Sequence, residues 1–198
     1  MRTTRSTTLL LVAATAATLA LASAPASGHD DDRADYRTRL DPLNKPGSEG
    51  RVRLRVEDAT LHVRLRVKGL DDGPHIAHIH GIRQAENECP GFDADADGNG
   101  FVDLVEGLPS YGPVQRTLSV GLDDVGRRLR YRRDFTALDD GSAIAALGDL
   151  SQYAIVVHGV DLDDDGVVSN ADVNGDGDQA ADNEISMPAL CGEIEHHH

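Results

Sequence analysis

The segment EGRVRLRVED, residues 49–58, alternates Val52, Leu54 and Val56 with Arg51, Arg53 and Arg55. TLHVRLRVKGL, residues 60–70, repeats the alternation, with Leu61, Val63, Leu65 and Val67 set against His62, Arg64 and Arg66. Period-two patterning marks strands with one buried face and one wet face. EDAT between the two runs reads as a hairpin turn. Further strand candidates are YRTRLDPL, HIAHIHG, PVQRTLSVG, RLRYRRDFTAL, YAIVVHGV and ALCGEI. Only SAIAALGDL, residues 142–150, reads as helical, and it is short. About eight antiparallel strands separated by Gly, Pro and Asp turns predict an all-β fold, a Greek-key sandwich or barrel. The Arg-rich outer faces read as solvated surface that discourages edge-to-edge pairing, and His62 as a surface histidine.

The amino terminus breaks this pattern. Arg2 and Arg5 precede the apolar run LLLVAATAATLALA and the small residues SAPASG, the layout of a secretory signal peptide over 1–26 with cleavage after Ala26. The apolar run falls short of the roughly 20 residues a membrane span needs, so stable membrane insertion is not expected. The expected location is outside the cell or in its envelope. Residues 27–38 read as an acidic leader, in which Ser27-Gly28-His29 has the groups for a square-planar Cu(II) or Ni(II) site. Residues 39–194 form the expected domain, and 195–198 resemble a truncated purification tag, which removes His196 to His198 from functional reasoning.

Aromatic residues make up 4% of the chain and Trp is absent, so aliphatic side chains must fill the core. Two cysteines in an exported chain point to a disulfide. The net charge of −15 is unevenly placed, with acid crowded into 93–106 and 161–184. Acid concentrated in loops points to cations, and the acidic total argues against nucleic acid.

DADGNGFVDLVE, residues 95–106, fits the twelve-residue calcium loop. Asp95, Asp97 and Asn99 take positions 1, 3 and 5, Gly100 the sharp turn at 6, and Phe101 offers its carbonyl at 7. Asp103 stands at 9, and Glu106 at 12 can close the site with two oxygens. CPGF before the loop and GLPSYGP after it argue against flanking helices, so an irregular connection is expected. DLDDDGVVSNAD is a weaker match, offering Asp161, Asp163, Asp165, Gly166, Ser169 and, in the closing place, the shorter Asp172. DVNGDGD overlaps it, and Asp172 can serve either loop.

His75, His78 and His80 fall within six residues. His78 and His80 are i and i+2 on an expected strand, so their rings leave one face while Ala77 and Ile79 point into the core. A third ligand must come from elsewhere, and His158 in YAIVVHG is the internal candidate. Three imidazoles suit copper or zinc.

GLDDGPHIAHIHG resembles the copper-strand signature G-L-x-x-G-x-H-x-x-H-x-H of copper/zinc superoxide dismutases, and IVVHG the later strand that supplies another copper ligand. Cys89, nine residues after His80, and LCGEI are similar to the family's two cysteine segments. The resemblance implies copper held by His78, His80 and His158, with His75 bonding to backbone behind them. It implies a Cys89–Cys191 disulfide and superoxide as a small anionic substrate. It also has gaps. No histidine lies between His80 and His158, so the bridging imidazole and zinc ligands are missing and no zinc site is expected. Pro188 stands where the family carries its active-site arginine, which weakens the expectation of efficient dismutation. AHIHG also resembles chordin-type domains. The rival expectations are a calcium-binding extracellular module without catalysis, and an envelope protein that binds copper without turnover.

Overall fold

A computed structural model describes residues 33–81, 89–169 and 183–197. Its strands are β1 (Arg33–Pro42), β2 (Glu49–Glu57), β3 (Thr60–Lys68), β4 (Ile76–His80), β5 (Val114–Thr117), β6 (Arg128–Phe135), β7 (Ala154–His158), β8 (Pro188–Glu193) and the two-residue β9 (Glu195–His196). One α-helix, α1 (Leu104–Tyr111), joins them among the described residues. All strand pairings are antiparallel, in the order β5-β4-β7-β8-β1-β2-β3-β6, with β9 added to β1. The sheet curls into a half-barrel, in keeping with the all-β barrel or sandwich the alternation predicts. The signal segment and Ser27-Gly28-His29 lie outside the described residues.

The alternation decides which side faces in. Val52 and Leu54 of β2 and Leu61, Val63, Leu65 and Val67 of β3 are buried in one core with Leu40, Ala77, Ile79, Ile155 and Val157. β7 departs from alternation because all five of its residues are buried. Ile155 and Val157 face the main core, while Ala154 and Val156 pack with Tyr111 of α1 and Cys191 on the opposite side. A strand covered on both faces reads as a continuous apolar run. The cover is pinned by the disulfide between Cys89 and Cys191, 102 residues apart. By loop-closure arguments such a bridge stabilises the fold by on the order of 4 kcal/mol.

Several elements differ from the sequence expectation. β1 begins at Arg33, inside the segment read as leader, because Arg33 to Tyr36 pair in register with Glu57 to Leu54. In the segment read as tail, Glu195 and His196 pair with Arg37 and Tyr36. SAIAALGDL is not an α-helix. It makes two short 3-10 turns, Ile144–Leu147 and Leu150–Gln152, divided at Gly148 (φ 67°) and restarted by Asp149, which accepts from the Ser151 amide. Ile144, Leu147 and Leu150 still reach the core.

The expected irregular connection after residue 103 is instead α1. Asp103 accepts from the Glu106 amide and the Glu106 side chain from the Asp103 amide, a reciprocal cap that starts the helix despite Gly107 and Pro109. A short 3-10 turn, Phe92–Ala94, stands before the loop.

Candidate metal centre

β4 turns His78 and His80 away from the core, and its neighbour β7 contributes His158, which pairs in register with Ile76. The ring centroids lie 5.3 Å apart for His78 and His80, 5.2 Å for His78 and His158, and 5.6 Å for His80 and His158. Each ring offers one nitrogen within 4.8 Å of the other two. Irregularities in strand pairing fall at Ile79/His80 and at Val157/His158. Such irregularities re-aim side chains.

The hydrogen bonds fix which nitrogens are bare. His80 donates from Nδ1 to the Gly112 carbonyl at 2.8 Å, and His158 from Nδ1 to the Ser186 carbonyl at 2.6 Å. A carbonyl only accepts, so in each neutral ring Nε2 carries a lone pair. These two Nε2 atoms face each other at 3.4 Å. Two lone pairs at that distance have no proton to share. Nδ1 of His78 is buried with no hydrogen-bond partner. Three rings thus converge without satisfying one another, a group that could hold a metal ion.

Burial keeps the rings neutral. It lowers His78 and His80 to about 4, the His80 charge adding to the effect on His78. His158 is pushed well below the ordinary 6.5 by burial first, then by His78 and His80. Neutral imidazole is the form that binds metal.

His75 is not part of the cluster. Its Nδ1 lies 3.2 Å from the His158 carbonyl and its Nε2 3.0 Å from that of Asp71, so both nitrogens face backbone oxygens and neither faces the cluster. Gly159 permits this contact: at φ 119°, a Cβ there would fall 2.3 Å from His75 Nδ1. On the far side the Tyr111 ring packs edge-on against His80 at 4.8 Å.

Each acidic segment forms a second kind of group. Carboxylate oxygens of Asp95, Asp97 and Glu106 lie within 4.8 Å of one another, and so do those of Asp161, Asp163 and Glu184. Asn99 turns its amide to Asp97 and its Oδ1 to the Phe101 amide. Asp103 is largely buried and caps α1. Asp165 is exposed and accepts from the Val167 amide. Asp172 lies outside the described residues, and Glu184 stands in the closing place expected of it. Oδ1 of Asp161 is buried without a hydrogen-bond partner.

No protein-family model and no curated protein matches the chain. The site therefore rests on its own geometry. Glu184 is the residue that sequence reasoning missed, since it lies beyond any twelve-residue window from Asp161. Its one signal is that Glu184 is the first glutamate after Glu106.

Proposed function

We propose that this chain is an exported copper protein of the superoxide dismutase-like type, braced by calcium in its two acidic loops. The observation that carries the reading is the facing pair of bare Nε2 atoms on His80 and His158, joined by a ring nitrogen of His78 within 4.8 Å and with the Nδ1 of His78 buried without a partner. Three neutral imidazoles without a carboxylate suit copper or zinc, whereas the two all-oxygen groups suit calcium. The family resemblance selects copper, because the bridging histidine and the zinc ligands are missing. Bound copper supplies one-electron exchange with superoxide, and dismutation turns two superoxide ions and two protons into one oxygen and one hydrogen peroxide. The chain's own residues hold the ring nitrogens in place. The Gly112 and Ser186 carbonyls fix two tautomers, Tyr111 packs against His80, and burial limits water.

The test is metal analysis on protein with His196, His197 and His198 changed to Ala. The expected result is about one copper per chain, lost in His78→Ala and His158→Ala, together with superoxide turnover. Calcium uptake with neither copper nor turnover would overturn the proposal. It would leave a calcium-rigidified module, a second reading favoured by Pro188, which pairs with His158 where a guanidinium would otherwise attract the anion. Copper without turnover would leave an envelope copper binder.

A further inference from the structure

The outer face of β2, β3 and β6 carries a different chemistry. Register places Arg53 opposite Arg64 and Arg64 opposite Arg132, while Arg51 faces Arg66 and Arg66 faces Arg130. These are two adjacent rows of three arginines, and no acid is interleaved between them. On β1 the rows end at arginines already held by Glu195 and Asp41. The six inner guanidiniums have no ion pair among the described residues.

Like charges directly opposite on a sheet destabilise it. The crowding is visible at Arg64, whose guanidinium loses its proton more easily than usual, chiefly because Arg132 faces it. A solvated face needs no such alignment, and it could use lysine, yet Lys45 and Lys68 are the only lysines in the chain. Arginine's planar fork matches an oxyanion with two parallel hydrogen bonds.

The face also holds two bays. Arg51, Arg53, Arg64 and Arg66 alone line one shallow depression of about 160 Å³. Arg64, Arg66, Arg130 and Arg132, with Tyr131, line a second of about 160 Å³. Two bays that share Arg64 and Arg66 lie roughly one strand spacing apart, about 4.8 Å. The large exposed apolar side chains, such as Phe92, Leu108 and Leu122, lie outside β2, β3 and β6, so the face lacks wedges for a bilayer. Tyr131 borders the second bay, but its ring packs against the core and is covered by the Arg133 guanidinium at 3.9 Å, which leaves no free aromatic platform for nucleic-acid bases.

We propose that this arginine face binds a linear polyphosphate chain, with phosphate groups along the chain seated in the two four-arginine bays. The −15 charge of the whole protein does not prevent this, because its acid is concentrated in loops between β4 and β5 and after β7. The face is separate from the histidine cluster and stands or falls independently of it.

The probe is fluorescently labelled long-chain inorganic polyphosphate, titrated with the whole protein at several salt concentrations. Binding should weaken linearly in log affinity against log salt. Changing Arg53, Arg64 and Arg66 together to Gln should flatten that slope by about 2–3, and Arg64→Gln alone by about 1. The control Arg127→Gln, outside the rows, should leave it unchanged. Melting temperature should stay level or rise in the row variants, which separates lost binding from lost fold. If the triple variant melts early, the single variant carries the test. An unchanged slope in Arg64→Gln would overturn the proposal. So would tighter binding to dextran sulfate, duplex DNA or phosphatidylserine vesicles, or salt-sensitive self-association in place of polyphosphate binding.

Discussion

The two acidic loops are built alike for nine positions and then diverge. Asp95 Oδ2 accepts from the Gly100 amide five residues on, and Asp161 Oδ2 from that of Gly166. Asp97 takes the Asn99 amide as Asp163 takes that of Asp165. Gly98 and Asp164 share the fourth position, with φ of 75° and 59°. At the eighth, Val102 and Val168 are both buried and tied to the barrel, one through the Asn44 side chain and the other through the Asp72 carbonyl. Glu106 then takes the amides of Ala96, Asp97 and Asp103, and Glu184 takes those of Leu162, Asp163 and Ser169. The first glutamate is local and also caps a helix. The second is the twenty-fourth residue counted from Asp161 and is 1% exposed. A closing ligand is thus defined by the amides it gathers, and its distance along the chain can vary.

The largest test of this likeness removes the cation from both loops. If calcium braces them equally, a chelator should lower the melting temperature in two separable increments. A ligand at a hundred times its Kd adds about 2.7 kcal/mol per site, so the combined drop is on the order of 10 °C. Calorimetry with and without chelator measures it, and limited proteolysis should then open 93–106 and 161–184. An unchanged melting point in chelator would remove calcium from the account of both loops.

The next test concerns the divergence itself. Glu184→Ala removes a buried carboxylate and strands three part-buried amides, and should cost roughly 2–4 kcal/mol. Asp172→Ala should stay within about 0.5 kcal/mol. The reverse order, read by urea denaturation in calcium, would restore the twelve-residue frame that the sequence suggests for the second loop. This loop also marks the limit of what the sequence displays. Period-two alternation made β2 and β3 legible, and the i, i+2 spacing placed His78 and His80 on one face. His158 could be named because it was the one internal histidine left, but its meeting with His80 depends on β4 lying beside β7, which only tertiary pairing decides. α1 was hidden because Gly107 and Pro109 speak against a helix, while the cap that starts it draws on a glutamate already read as a ligand.

Each loop also leads to a group that holds one histidine of the cluster, and this gives a smaller, paired effect. The first loop runs into α1, whose end supplies the Tyr111 ring and the Gly112 carbonyl to His80. The second reaches Glu184, two residues before the Ser186 carbonyl that holds His158. Orienting partners of metal ligands are worth about 10–100-fold in affinity. Glu106→Ala and Glu184→Ala should therefore each weaken copper binding by about tenfold, through different rings. Competition titration with a copper chelator measures it, and equal affinities in all three proteins would uncouple the loops from the histidines.

The last test is a pH dependence that belongs to the histidines and to neither loop. In the metal-free fold His78 and His80 titrate near 4, lowered by burial, against 6.5 for the ordinary group. Between those values the unfolded chain binds more protons than the folded one, so stability falls as pH drops from 6.5 toward 4 and levels off below it. A folded pKa that is lowered for a base therefore gives stability that is complete above 6.5 and lost in acid. Saturating copper should deepen this acid limb, because protons then compete with the metal for the same lone pairs. The limb of the metal-free protein should persist in a Glu106→Ala/Glu184→Ala double variant and shrink in His78→Gln. If it vanished in the double variant instead, the titration would lie with the acidic loops, and the two halves of the molecule would share one electrostatic origin.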